Sequence, residues 1–118
     1  MNNFSRCVAV GVALTFAVPA HAEGFKRITS EAEFLQKAAG KKLWLDGDHV
    51  TARKNGQLVG KFGGERLKGV WAWRGQFWCR TITTHTKNTD CQVWETNGKA
   101  FRITRQKGKG RSLEYTTK

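Results

Sequence analysis

From Leu43 to Thr116 the apolar positions come in short runs, each closed by a turn signal, and along several runs apolar and polar residues alternate. Leu43 to Leu45 is followed by Asp46-Gly47-Asp48, His49 to Arg53 by Lys54-Asn55-Gly56, Gln57 to Phe62 by Gly63-Gly64, and Arg66 to Arg74 by Gly75. Gln76 to Thr84 leads into the polar segment His85 to Asp90, and Cys91 to Thr96 into Asn97-Gly98. Lys99 to Arg105 leads into the basic, glycine-containing stretch Gln106 to Gly110, and Ser112 to Thr116 closes the series. Runs with a period of two between turn residues predict an antiparallel meander, and the Asn-Gly pairs are its strongest hairpin signals. About seven strands in so short a stretch predict a mainly β fold rolled into a small closed or half-closed barrel, because closure removes unpaired edges.

One segment breaks the two-residue rhythm. Ser30 followed three residues later by Glu33 is a capping box, Phe34, Leu35 and Ala38 fall on one face of the helix it opens, and Gly40 supplies the stop. This predicts a single short amphipathic helix that lies on the sheet as a lid or plug.

Alternation also sorts the later strands into two faces. Phe77, Cys79 and Thr81 share one face, Cys91 and Val93 continue it on the next strand, and Phe101 and Ile103 could extend it as the apolar side. With Cys79 opposite Cys91, antiparallel register brings Phe77 near Val93 and Arg80 near Asp90. The other face would then show Trp78, Arg80, Gln92, Trp94 and Arg102, and Trp71 and Trp73 stand on a shared face of the preceding strand.

Ahead of the helix, Arg6 precedes an apolar run from Cys7 to Val18, and Pro19 breaks it before Ala20-His21-Ala22. That is a secretory signal with cleavage expected after Ala22, leaving residues 23–118 as a single small domain in the periplasm or outside the cell. The run is about a dozen residues where a spanning helix needs roughly 20, so no transmembrane segment is expected in the mature chain. Cys7 lacks the small neighbours of a lipid-attachment site and departs with the signal.

Of the 21 Lys and Arg only Arg6 lies in the first 22 residues, and none of the 9 acids does, so the mature chain carries a net charge of +11. Its two remaining cysteines, Cys79 and Cys91, are an even pair in an exported chain and predict one disulfide. Such a ring is worth about 3 kcal/mol in the chain-entropy model. No metal site is expected, because His49 and His85 stand alone and no C-x-x-C or H-x-x-x-H spacing occurs.

Catalytic signals are absent. Gly56-Gln57-Leu58-Val59-Gly60-Lys61 has the wrong spacing for a phosphate loop and is followed by Phe62, and no G-x-G-x-x-G joins a strand to a helix. His49 beside Asp46 and Asp48 is a turn cluster, and His85 sits in a polar loop without a nucleophile. No enzyme and no cofactor is expected.

What stands out is indole beside guanidinium. Trp71, Trp73, Trp78 and Trp94 can stack on a planar or sugar-like ligand, while Arg74, Arg80 and Arg102 can pair phosphate or carboxylate. The same residues admit a second reading, in which the indoles fill the barrel and the arginines reach outward over them. Lys99, Arg102, Arg105, Lys107, Lys109 and Arg111 further concentrate positive charge toward the C-terminus.

At Gly69-Val70-Trp71-Ala72-Trp73-Arg74-Gly75, Phe77, Cys79-Arg80 and Asp90-Cys91-Gln92 the chain resembles a group of small exported alphaproteobacterial proteins that often carry the label dihydrodipicolinate reductase. The resemblance spans nearly the whole mature chain, capped helix included, and implies an exported domain. The label implies a nucleotide-binding Rossmann domain, for which this chain has neither the length nor the fingerprint.

Three functional expectations follow, in descending order. The first is a periplasmic or secreted binding module for an anionic envelope ligand, a glycolipid headgroup or an acidic polysaccharide. The second is an inhibitor or immunity-type module that presents the loop His85 to Asp90 to a protein partner. The third is nucleic-acid binding, which the charge favours and the compartment does not.

Overall fold

The computed structural model describes residues 24–85 and 87–118; the expected signal sequence, residues 1–22, lies outside the described residues. Among the described residues nine strands form one antiparallel sheet: β1 (Lys26–Arg27), β2 (Leu43–Leu45), β3 (Asp48–Ala52), β4 (Gln57–Phe62), β5 (Glu65–Arg74), β6 (Phe77–Ile82), β7 (Thr89–Thr96), β8 (Ala100–Thr104) and β9 (Ser112–Thr116). The order β7-β6-β5-β4-β3-β2-β9-β8, with β8 returning to pair with β7, closes a barrel of eight strands. The two-residue β1 is additional, pairing with Thr96 and Glu95 at the end of β7 that β6 leaves open. The expected meander is therefore present and fully closed.

Closure of so narrow a barrel needs sharp coiling, and two glycines permit it. Gly60 on β4 and Gly69 on β5 pair with the interior residues Leu67 and Leu58, so both face inward. A methyl group on Gly60 would collide with the His49 carbonyl oxygen and lie 2.9 Å from Val50 Cα; one on Gly69 would collide with the Thr81 carbonyl oxygen. Neighbouring backbone approaches where a side chain would stand, which is how glycine forms a barrel corner. Gly60→Ala should cost about 3 kcal/mol, the upper range for overpacking, read as a lowered urea midpoint. A change below about 0.5 kcal/mol would show that the corner can relax around a methyl group.

Helix α1 (Glu31–Lys37) opens as its sequence requires: the Ser30 hydroxyl accepts from the Glu33 amide at 3.1 Å. The Glu33 carboxylate returns to the amide of Thr29 at 3.0 Å, one residue before the cap, and accepts from Lys37 Nζ at 2.8 Å. The Lys37 hydrogen bond and then the Thr29 amide hold the Glu33 carboxyl below the usual range. The helix and its C-cap bury Phe34 and Ala38 in one end of the barrel and so form the expected plug.

The disulfide joins Cys79 to Cys91, directly opposite each other across β6 and β7 with Cα atoms 3.9 Å apart. Here the structure corrects the expected facing. Trp78, Gln92 and Trp94 are buried in the interior, so by alternation Phe77, Cys79, Cys91 and Val93 stand on the outer side. The disulfide clips the hairpin from outside rather than against the core. Reducing it should still lower stability by about 3 kcal/mol, on the order of 15 °C in Tm for a domain of this size, measured by calorimetry with and without dithiothreitol. An unchanged Tm in the reduced protein would mean the ring adds nothing to the β6–β7 pairing.

Candidate functional site

Connections β2–β3, β4–β5, β6–β7 and β8–β9 all leave the same end of the barrel, and α1 closes the other. At the closed end Phe34 is fully buried inside a ring of indoles. Its centroid lies 4.9 Å from those of Trp71 and Trp94, 5.8 Å from Trp73 and 6.0 Å from Trp78. Trp71 donates its indole N–H to the Arg53 carbonyl at 2.8 Å, and Trp73 to that of Gly75 at 2.7 Å. The indole nitrogens of Trp78 and Trp94 are enclosed without a partner among the described residues, a cost of about 1–3 kcal/mol each that accompanies packing four indoles round one phenyl.

Between that plug and the loop end lies a cavity of about 350 Å³. Trp78, Trp94, Leu58 and Ala52 form its floor, and Val50, Leu67 and Ile103 its walls. Phe62, Ile82, Leu113, His85, Asn88 and Arg105 stand toward the mouth. Three buried polar side chains break the apolar lining: Arg80 on β6, Gln92 on β7 and Tyr115 on β9.

Arg80 is the unusual member. It is 9% exposed, and its Nη1 donates to the carbonyl and the side-chain oxygen of Asn88, at 3.3 and 2.7 Å. Among the described residues no carboxylate comes within ion-pair distance of its guanidinium. Asp90, its partner in register, instead accepts from Gln92 Nε2 at 2.9 Å and from the Gln106 amide at 3.1 Å. Burial pulls the Arg80 pKa down, with Asp90 opposing and Arg105 reinforcing the shift. Burial likewise raises that of the Tyr115 hydroxyl, against the pull of Arg105 and Arg80.

Backbone strain gathers at the mouth. Asp46, His85, Lys87, Gln106 and Lys107 all have positive φ, between 48° and 56°, and all lie in loops at the open end. Such conformations cost roughly 1–2 kcal/mol per non-glycine residue and collect where a loop is held for use. His85 ties the β6–β7 connection to the end of β4, with its ring within 2.9 Å of the Thr84 hydroxyl and 3.3 Å of the Phe62 carbonyl. His85 and Asn88 both line the mouth of the cavity.

The expected binding face is divided by the barrel wall. Trp71, Trp78, Trp94 and Arg80 point inward together, and Trp73 is half-buried at the plug. Arg74 is exposed and pairs with Phe77 on the outer side. Arg102 also lies outside, against the expectation that it shares a face with Trp78: it pairs in register with Glu95, which it contacts through Nε at 2.9 Å and Nη2 at 3.3 Å. Phe101 and Ile103 face inward beside Trp94.

The basic C-terminal stretch is divided too. Lys99 lies at the plug end and Arg105 at the mouth. The turn α2 (Arg105–Gly108) folds over the outer face of β7, bringing Lys107 Nζ to 5.6 Å from the Phe77 ring. Tyr115, Phe62 and Leu113 were not singled out from the sequence. Their inward parity on strands far apart in the chain is the only signal that could have gathered them.

Among the described residues no cluster of His, Cys, Asp and Glu could hold a metal ion, and no helix is long and apolar enough to cross a membrane. By fold and site this is a closed eight-stranded barrel, stoppered by a helix, with a cationic group inside an apolar cup. No family model, curated protein or solved structure matches the chain.

Proposed function

We propose that this protein is an exported binding module whose barrel holds a small anionic ligand with an apolar body, the anion seated on Arg80. The observation that carries this reading is a buried guanidinium in an apolar cavity with no carboxylate within ion-pair distance among the described residues. Burying an ion costs several kcal/mol unless a counter-charge is supplied, and a ligand carboxylate or phosphate supplies one where its field is weakly screened. Gln92 and Tyr115 line the same cavity as further polar groups, and the tryptophan floor receives the apolar part. A volume of about 350 Å³ falls within the range of small-molecule sites. It suits an acyl or aromatic carboxylate, an alkyl phosphate or the head of a lipid, and is too small for a polysaccharide.

The test is tryptophan emission of the oxidised protein during titration with fatty acids, aromatic carboxylates and alkyl phosphates, with stoichiometry from native mass spectrometry. Trp78 and Trp94 line the cavity and should report occupancy as a saturable one-to-one change. Affinity should fall only shallowly with salt, because the ion pair is shielded from the solvent. Absence of both a spectral change and a mass adduct across the panel would leave the barrel as a packed scaffold and end this reading.

A further inference from the structure

One wall of the barrel carries charge of a single sign. Register sets His49, Lys61 and Arg66 in one outward row across β3, β4 and β5, and Thr51, Val59 and Lys68 in the next. Arg53 and Gln57 continue toward the plug end, and Lys42 flanks them from the start of β2. Asp48 and Glu65 belong to neighbouring strands, but alternation sets both on the side of Leu45 and Phe62 with which they pair; the exposed Glu65 carboxylate stands at the mouth, 4.0 Å from His85 Nε2. The outward acids of the strands, Glu95 and Glu114, stand beside Arg102 on β7 and β9, across the barrel. None of Lys61, Arg66 and Lys68 reaches a carboxylate at ion-pair distance among the described residues.

This wall is hollowed. An open groove of about 570 Å³ runs over it, lined by Lys42, His49, Arg53, Gln57, Arg66 and Lys68, with Gly60 and Gly69 in its floor. The groove is separated from the barrel cavity by the sheet itself, and its lining shares with that cavity only Leu58 and Leu67.

We propose that this groove is a second binding site and that its ligand is a linear acidic polysaccharide. A concave site that crosses three strands accepts a chain segment better than a planar bilayer. Its arginines can take a carboxylate or sulfate bidentately, and Thr51 and Gln57 place a hydroxyl and an amide between the cations for sugar hydroxyls. No aromatic ring other than His49 lines it, so it lacks the stacking platform that single-stranded nucleic acid uses. Val70, 54% exposed on the neighbouring row, is the only large hydrophobic exposed among the described residues, too little apolar surface to anchor a protein in lipid.

The experiment is calorimetric titration of the oxidised protein with oligogalacturonate at low salt, with a short DNA duplex and phosphatidylglycerol vesicles as comparators. Saturable binding to the oligogalacturonate is expected, and it should be tightest among the three probes. Arg66→Glu combined with Lys68→Glu should weaken it about tenfold or more, as loss and reversal of two exposed charges would, with Tm unchanged. Should that variant unfold, Arg66→Gln with Lys68→Gln gives the same reading at smaller amplitude. Arg80→Met should leave polysaccharide binding intact, which separates this site from the barrel cavity. Unchanged affinity in a folded wall variant, no saturable binding, or equal or tighter binding to DNA or vesicles would overturn the proposal.

Discussion

Phe34→Ala should remove about 4 kcal/mol of folding free energy, the usual toll for emptying a buried phenylalanine site. A domain this small holds roughly 5–15 kcal/mol in all, so the loss would take a large part of it. The reason is geometric: the Phe34 ring packs against Trp71, Trp73, Trp78 and Trp94 together. Urea unfolding followed by near-ultraviolet circular dichroism reads both the stability and the collapse of the indole environment. A loss below about 1 kcal/mol, far under the cost of a Phe-sized cavity, would mean that the helix rests on the barrel without closing it.

Arg80→Met should leave the protein folded while weakening the best anionic ligand found in the titration by about 2–5 kcal/mol, the range for removing one partner of a buried charge pair. Two effects on stability oppose each other. The variant forfeits two hydrogen bonds to Asn88, and it also sheds a guanidinium that burial disfavours strongly enough to depress its pKa. The net change in Tm should be small. Arg80→Lys keeps the charge but loses the planar fork, so it should bind at an intermediate strength. If Arg80→Met instead unfolds the protein, the arginine is a structural strut for the β6–β7 loop. If it binds anions as before, the cavity takes them elsewhere.

Turn chemistry was the most legible feature of this chain. Asp46-Gly47, Asn55-Gly56, Gly63-Gly64, Gly75 and Asn97-Gly98 all sit between strands, and the register Cys79 opposite Cys91 with Arg80 opposite Asp90 follows from the disulfide pairing alone. Face assignment was less legible, because a shift of one residue exchanges the two sides of a strand. Phe77 and Val93 look like core residues, yet the α2 turn lies against Val93, and Arg27 and Lys107 lie over the Phe77 ring. The bulk of Trp71, Trp78 and Trp94, all of one parity, was the stronger signal for the interior. The two-residue β1 is too short for any periodicity to register. The cavity was invisible in the sequence for a different reason: its residues come from seven strands, and only closure brings them together.

On the proposed reading, the helical stopper leaves a ligand one way in and out. An eight-stranded barrel open at both ends would be a tube through which a long molecule could thread; with Phe34 lodged among the tryptophans it is a vial with one neck. A guest longer than the space between the indole floor and the strained loops has to leave its surplus hanging outside the neck. Any acceptor that takes the guest onward would find that free end within reach at the loops, with no need to open the container that holds the rest.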